Sequence, residues 1–178
     1  MDLANLSRIT SHALRHEPWL YELELDEEGW VPAQSLVAAL RVEKSSWAEL
    51  TQSDLERMIA QSEKKRHELR DGKIRAFYGH SVPQRLARDR AAPPATLYHG
   101  TSPEAAENIK RVGLQPMGRQ FVHLSADAET ATKVGSRKGK SPVILKINAG
   151  AAHASGVAFY HGNEMVWLAD AVPPSFIG

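Results

Sequence analysis

The chain has no cysteine, so it carries no disulfide framework and no thiolate nucleophile. No apolar run approaches the length needed to span a bilayer. Asp2 and Arg8 interrupt the first residues, which argues against a signal peptide. A cytoplasmic protein without membrane association is the expectation. The eight histidines are scattered, with no HExxH pair or similar ligand spacing, so no metal site is expected. There is no P-loop, no G-x-G-x-x-G following a strand and no nucleophile elbow. Internal repeats and heptads are also missing. The net charge of +1 gives by itself no reason to expect a nucleic acid partner.

What is present is enough apolar residue, 42% of 178, to bury a core in one larger domain or two small ones. Charge is segregated along the chain. Residues 17–28 hold six acidic side chains and no Lys or Arg, whereas residues 63–90 hold nine basic side chains against four acidic ones. Such a basic stretch suits phosphate contacts, and equally a solvated helix and hairpin surface. The charged and then Pro/Ala-rich segment 85–95 reads as a linker. It places a boundary near Pro93 and predicts domains over 1–92 and 93–178.

Residues 3–15 have helical spacing of Leu3, Leu6, Ile9, Ala13 and Leu14, and Pro18 restricts Glu17 enough to end the helix. Arg15 and His16 then lie at a helix C-terminus, where the dipole favours a cation with or without further function. Leu23-Glu24-Leu25 alternates as a strand, Trp30-Val31 can pair or pack, and Pro32 opens a helix carrying Leu36, Val37 and Leu40. Thr51 and Asp54 form a capping-box pattern ahead of Leu55, Met58 and Ile59. A hairpin turning at Asp71-Gly72 follows. Helix, short strand, helix, helix, hairpin is the element order of a winged helix.

The second half is organised around residues 97–125. A short β-type run over 96–99 is expected to break at Gly100-Thr101. Ser102 suits an N-cap, Pro103 suits the first helical turn, and Gly113 suits the position after the helix. Ala105, Ala106, Ile109 and Val112 give that helix an apolar side. A second β-run over 121–124 ends at Ser125. Two strand-end histidines, His99 and His123, with a glycine turn and Arg119 nearby, suggest a cleft for an anionic, sugar-bearing ligand. Further on, a helix over 127–134 closed by Gly135, a basic loop over 136–141 (Arg137, Lys138, Gly139, Lys140) and three strands over 143–147, 157–160 and 165–168 are expected.

YHGT followed about twenty residues later by VHLS resembles the ADP-ribosyltransferase fold. More narrowly, LRHEP, KKRHELRDGKIRA, GHS, MGRQFVHLS and MVWLADAVPP, in that order, resemble the NAD-dependent tRNA (RNA) 2′-phosphotransferases. The resemblance implies an α+β protein, with an N-terminal winged-helix RNA-binding domain followed by an ADP-ribosyltransferase-like split β-sheet domain that binds NAD. It implies transfer of an internal RNA 2′-phosphate to NAD through an ADP-ribosylated RNA phosphate and a transesterification. The products would be RNA 2′-OH, nicotinamide and ADP-ribose 1″,2″-cyclic phosphate. NAD would be consumed as co-substrate without a metal, 2′-phosphorylated RNA would be the other partner, and a monomer is expected.

Matching motif to motif, the family's catalytic Arg-His-Arg-Arg group falls on Arg15, His16, Arg66 and Arg119, which implies an active site at the interdomain cleft. A 2′-phosphate is already an anion near neutral pH and needs positioning more than deprotonation. Guanidiniums match phosphate geometry and offset the repulsion between two phosphate-bearing substrates. The resemblance also implies that His99, Gly100 and Thr101 hold the nicotinamide ribose region and that His123, Leu124 and Ser125 line the same cleft. Val166 falls near the position where other ADP-ribosyltransferases carry glutamate, and Glu164 reads as an exposed strand residue. The chain departs from the family at Phe77-Tyr78, where Asn-Gln is common, and at His67, where Phe is common. Two rival readings are an ADP-ribosyltransferase acting on protein or nucleic-acid termini without dephosphorylation, and a non-catalytic winged-helix regulator sensing NAD.

Overall fold

Asp2 accepts from the backbone N–H of Asn5 and so caps α1 (Leu3–Arg15). Leu6, Ile9, Ala13 and Leu14 on its inner side are buried. Full burial of each large aliphatic side chain stabilises by about 1.5–3 kcal/mol, which is what fixes the helix in place. In this computed structural model residues 1–77 and 89–178 are described. Tyr78 and the Gly79-His80-Ser81 motif, with Arg85 and Arg88 of the basic stretch, lie outside them.

The chain divides into two compact units, Met1–Arg85 and Leu86–Gly178. In the first, α1 is followed by β1 (Val31–Pro32), α2 (Ala33–Glu43), α3 (Gln52–Ala60), β2 (His67–Arg70) and β3 (Lys73–Ala76). The strands form an antiparallel sheet in the order β1-β3-β2. The expected capping box is present, with Asp54 accepting from the Thr51 backbone N–H and hydroxyl. Leu23-Glu24-Leu25 does not form the expected strand. Glu22 adopts a φ of 51°, and the irregular connection turns Leu23 and Leu25 into the core instead.

Much of the charge segregation cancels within this unit. Lys73 lies 3.7 Å from Asp26 and Arg75 lies 3.8 Å from Glu28, so the acidic turn faces the basic hairpin. Arg75 also pairs with Glu68 at 2.9 Å and stacks 4.5 Å from the Trp30 ring centroid. These hairpin cations are therefore committed to the fold.

The second unit contains β4 (Asp89–Arg90), β5 (Leu97–Thr101), α4 (Pro103–Val112), β6 (Val122–Ser125), α5 (Ala128–Lys138), β7 (Val143–Ile147), α6 (Ala149–Ala154), β8 (Phe159–His161) and β9 (Val166–Ala169). Its six-stranded antiparallel sheet runs β4-β8-β9-β6-β5-β7. Both units thus carry helices on antiparallel sheets, an α+β organisation. Asp89–Arg90, within the segment that reads as a linker, pairs with Tyr160 and His161 of β8.

The sheet is loosely joined at one seam. β5 pairs with β7 along its length, from Leu97↔Ile147 to Thr101↔Val143, but with β6 only at Tyr98↔Ser125. Gly100-Thr101 continues the strand rather than breaking it. The glycine is there for packing: a Cβ at Gly100 would stand 1.8 Å from the Ala131 carbonyl oxygen of α5. Gly135 faces it from the helix, where a Cβ would come 3.1 Å from the Gly100 backbone. Gly135 therefore lies inside α5 instead of closing it, and the helix extends to Lys138.

Gly100→Ala is expected to destabilise the protein by about 3 kcal/mol or more, because helix backbone must move to admit the methyl group. Gly118, with open space around it, serves as control, and its alanine variant is expected to stay within about 0.5 kcal/mol of the parent. Equal denaturation midpoints for the two variants would contradict the packing role of Gly100.

Candidate active site

On α1, Ala4, Arg8, Ser11, His12 and Arg15 recur at intervals of three and four, which puts them on one helix face. With His16 and Arg66 they line a surface depression of about 370 Å³. Arg15 is buried, and its Nη2 donates to the Arg66 carbonyl at 3.0 Å. The Phe77 amide donates to the same oxygen at 3.0 Å. The segment that presents Arg66 is thus tied both to α1 and to the residue after β3. Arg15, His16 and Arg66, assigned from separate motifs, border one depression.

His67 supplies a second tie. Its Nε2 lies 3.0 Å from Ser11 Oγ, one turn before Arg15. Only 4% of the residue is exposed. Burial first, then the guanidiniums of Arg15 and Arg66, push its imidazole down to about 4, so it is neutral near pH 7. This accounts for a histidine where the resembling family has Phe: the ring is a buried, uncharged wedge. His12, beside the depression, is held by Tyr21 OH at 3.0 Å on Nδ1 and by Glu17 at 3.1 Å on Nε2.

In the second unit a cleft of about 220 Å³ lies against the seam strand β5. His99 and Thr101 of β5, Arg119, Lys138, Asn108 and Gln115 supply its polar lining. Ala105, Ile109 and Val112, the apolar side of α4, form a wall with Leu114 and Val122. The cap at Ser102, which accepts from the Ala105 amide at 3.3 Å, and Pro103 fix where that helix begins. His99 Nδ1 lies 3.0 Å from the His123 carbonyl oxygen. A carbonyl only accepts, so in this bond Nδ1 is the donor. Met117, 84% exposed and at a φ of 58°, stands at the rim in the turn that delivers Arg119.

The residues assigned to NAD are distributed over both faces of the sheet. Side chains alternate along a strand, so His99 and Thr101 line the cleft while Gly100 faces α5. His123 meets the cleft strand through its carbonyl, and Leu124 packs in the core. Ser125 pairs with Tyr98 on one side and Val166 on the other. Val166 is buried opposite Ser125, and Glu164 is exposed in the turn before β9 rather than on the strand. Arg8, Ser11, His12, Asn108, Gln115 and Lys138 were not singled out for either site from the sequence. The helical interval to Arg15 is the signal that marks the first three.

The His67 shift has a definite pH signature. Free histidine titrates near 6.5 and His67 in the folded chain near 4, so between these values the unfolded chain binds more protons. Stability from this group is full above about pH 6.5 and is lost as pH falls toward 4. Between about pH 7 and about pH 4.5 the parent is expected to lose about 2–3 kcal/mol more than His67→Phe in urea denaturation. Identical losses would contradict a buried, neutral His67.

Residues 2–171 match the model of the RNA 2′-phosphotransferase, Tpt1 / KptA family. The chain is 54% identical over 173 residues to a protein of Bacillus thuringiensis subsp. konkukian named "Probable RNA 2′-phosphotransferase", covering 97% of this chain and 93% of that one. It is 51% identical over 177 residues to a protein of the same name from Acetivibrio thermocellus, covering 99% and 97%. A third protein of that name, from Streptomyces griseus, is 41% identical over 181 residues, covering 97% and 94%. With a cationic depression on one unit, a His- and Arg-lined cleft on the other and a family match over nearly its whole length, this chain belongs to the RNA 2′-phosphotransferase family.

Proposed function

We propose that the chain removes an internal 2′-phosphate from RNA by transferring it to NAD, leaving a 2′-hydroxyl and releasing nicotinamide and ADP-ribose 1″,2″-cyclic phosphate. Family membership supports the removal of the phosphate. The observation that carries the finer reading is that Arg15, His16 and Arg66 border one depression while Arg119 shares a cleft with His99 and Thr101. We assign RNA binding to the first unit, as a winged helix, on its helix, strand, helix, helix, hairpin order. We assign NAD to the second, as an ADP-ribosyltransferase-like sheet, on the parting of β5 from β6.

The cleft lining fits such a dinucleotide: an apolar wall suits a flat ring, His99 and Thr101 suit ribose hydroxyls, and cations suit phosphates. When bound, NAD supplies an electrophilic ribose carbon with nicotinamide as leaving group. The protein's own part is positional and electrostatic. Arg15 and Arg66 in the first unit, and Arg119 in the second, offer forked donors that bind phosphate and stabilise charge growing on its oxygens. His16, at the end of α1, holds the phosphate or delivers a proton to the leaving oxygen. The ties from Arg15 and Phe77 to the Arg66 carbonyl keep Arg15 and the Arg66 segment together before substrate arrives.

Incubation with NAD and a short internally 2′-phosphorylated RNA, followed by mass analysis, is expected to give 2′-hydroxyl RNA and ADP-ribose 1″,2″-cyclic phosphate. ADP-ribosylated RNA as the end product would instead identify an ADP-ribosyltransferase without dephosphorylation, and binding without nicotinamide release would identify an NAD sensor. Arg66→Ala is expected to lower turnover by about 100-fold or more, blocking the reaction or stalling it after ADP-ribosylation. Unchanged turnover would contradict the role assigned to Arg66.

A further inference from the structure

The hairpin ladder runs one residue beyond its last strand pair, His67↔Ala76, because the Phe77 amide donates to the Arg66 carbonyl at 3.0 Å. Arg66 and Phe77 are therefore directly opposite, and such residues carry Cβ atoms about 5 Å apart on the same face of a sheet. Alternation along the strands settles which face that is. His67, Ile74 and Ala76 are buried on the inner side, so Arg66, Arg75 and Phe77 belong to the outer one. On that outer face Arg75 packs 4.5 Å from the ring centroid of the buried Trp30 and 6.0 Å from that of Phe77. Arg75 is itself held by Glu68 at 2.9 Å. The Phe77 ring is thus seated on a fixed guanidinium opposite Arg66, and it remains 46% exposed. Among the described residues no other Phe, Tyr or Trp is exposed.

A single exposed apolar side chain means little by itself, and what decides here is the residue opposite. Arg66 is a residue to which the reading above gives the RNA phosphate. In a 2′-phosphorylated nucleotide the phosphate and the base hang on adjacent ribose carbons. Wherever Arg66 holds the phosphate, a base must therefore lie close by. Phe77 offers it a flat π-face, with no donor or acceptor to discriminate among bases. The adjoining depression, lined by Arg8, Arg15 and Arg66, suits the phosphates of a nucleic acid rather than an apolar protein surface. We propose that Phe77 is a stacking platform for the base of the nucleotide that carries the 2′-phosphate, so that Arg66 holds the phosphate while the ring holds the base. A base held in this way has left its own stack, which fits unpaired RNA rather than duplex and tolerates any of the four bases. The inference rests on the RNA reading of the first unit and adds to it a residue to which no matched motif gives a role.

Equilibrium binding of a short, fluorescently labelled single-stranded RNA with one internal 2′-phosphate to the full chain, without NAD, tests this. The same RNA made abasic at the phosphorylated nucleotide is measured beside it. Phe77→Ala keeps the backbone amide that bonds Arg66 and removes the ring. It is expected to bind the intact RNA roughly tenfold more weakly, as for loss of one base–aromatic stack. Phe77→Leu, apolar but without a π-face, should weaken binding nearly as much and carries the test if the alanine variant melts below the parent. Phe77→Trp is expected to stay within about threefold of the parent. On the abasic RNA, parent, Phe77→Ala and Phe77→Leu are expected to bind alike, because the partner of the ring has gone. Parent-like affinity of Phe77→Ala or Phe77→Leu for the intact RNA overturns the inference while leaving RNA binding in place. Equal weakening on the intact and abasic RNAs assigns the ring to packing and overturns it too. No binding of the 2′-phosphorylated RNA by the parent protein overturns the RNA reading of the first unit, and the inference with it.

Discussion

The second unit depends on a single parting of strands. β5 stays with β7 and leaves β6 after one pair, so the backbone groups along the seam need other partners. His99 supplies one by reaching across to the His123 carbonyl, and in doing so its ring orientation is set. The parting would leave a weak sheet if nothing braced it from behind. Gly100 and Gly135 brace it by letting α5 lie directly on β5, closer than any side chain would permit. The same close approach carries α5 far enough to bring Lys138 to the cleft, so packing on one face of β5 helps to furnish the other.

The first unit solves a different problem, that of holding like charges together. Arg15 and Arg66 repel one another, and a flexible pair would separate. Arg15 is instead buried, and its guanidinium is directed to a carbonyl of the Arg66 segment. His67 remains neutral beside them because a further positive charge in that place is disfavoured by burial and by both arginines. The hairpin cations nearby are matched to Glu68, Asp26 and Glu28, while Arg8, Arg15 and Arg66 border the depression along α1.

Local rules made much of this legible in the sequence. The span of α1, the Thr51–Asp54 box, the Asp71-Gly72 hairpin and the Ser102-Pro103 helix start all follow from capping and periodicity, which act over a few residues. The misreadings share a cause: tertiary packing overrode local preference. Gly100 and Gly135 look like punctuation, yet each is a contact point in the middle of a regular element. Leu23 and Leu25 alternate like a strand but find their burial in an irregular connection. The site residues followed the same division. Motif matching named Arg15, His16 and Arg66, which line the depression, and Arg119, which lines the cleft, whereas Lys138 and Asn108 enter the cleft only because helices fold over it.

If the proposed dinucleotide binds the cleft that opens where β5 leaves β6, that seam responds to it before anywhere else in the second unit. Backbone and imidazole NMR spectra recorded during an NAD titration report this residue by residue. Shifts centred on His99, Thr101, Arg119 and the α4 wall, with the far strands β8 and β4 unmoved, are the expected result. Saturable shifts that avoid His99 and Thr101 would place the ligand elsewhere and contradict it.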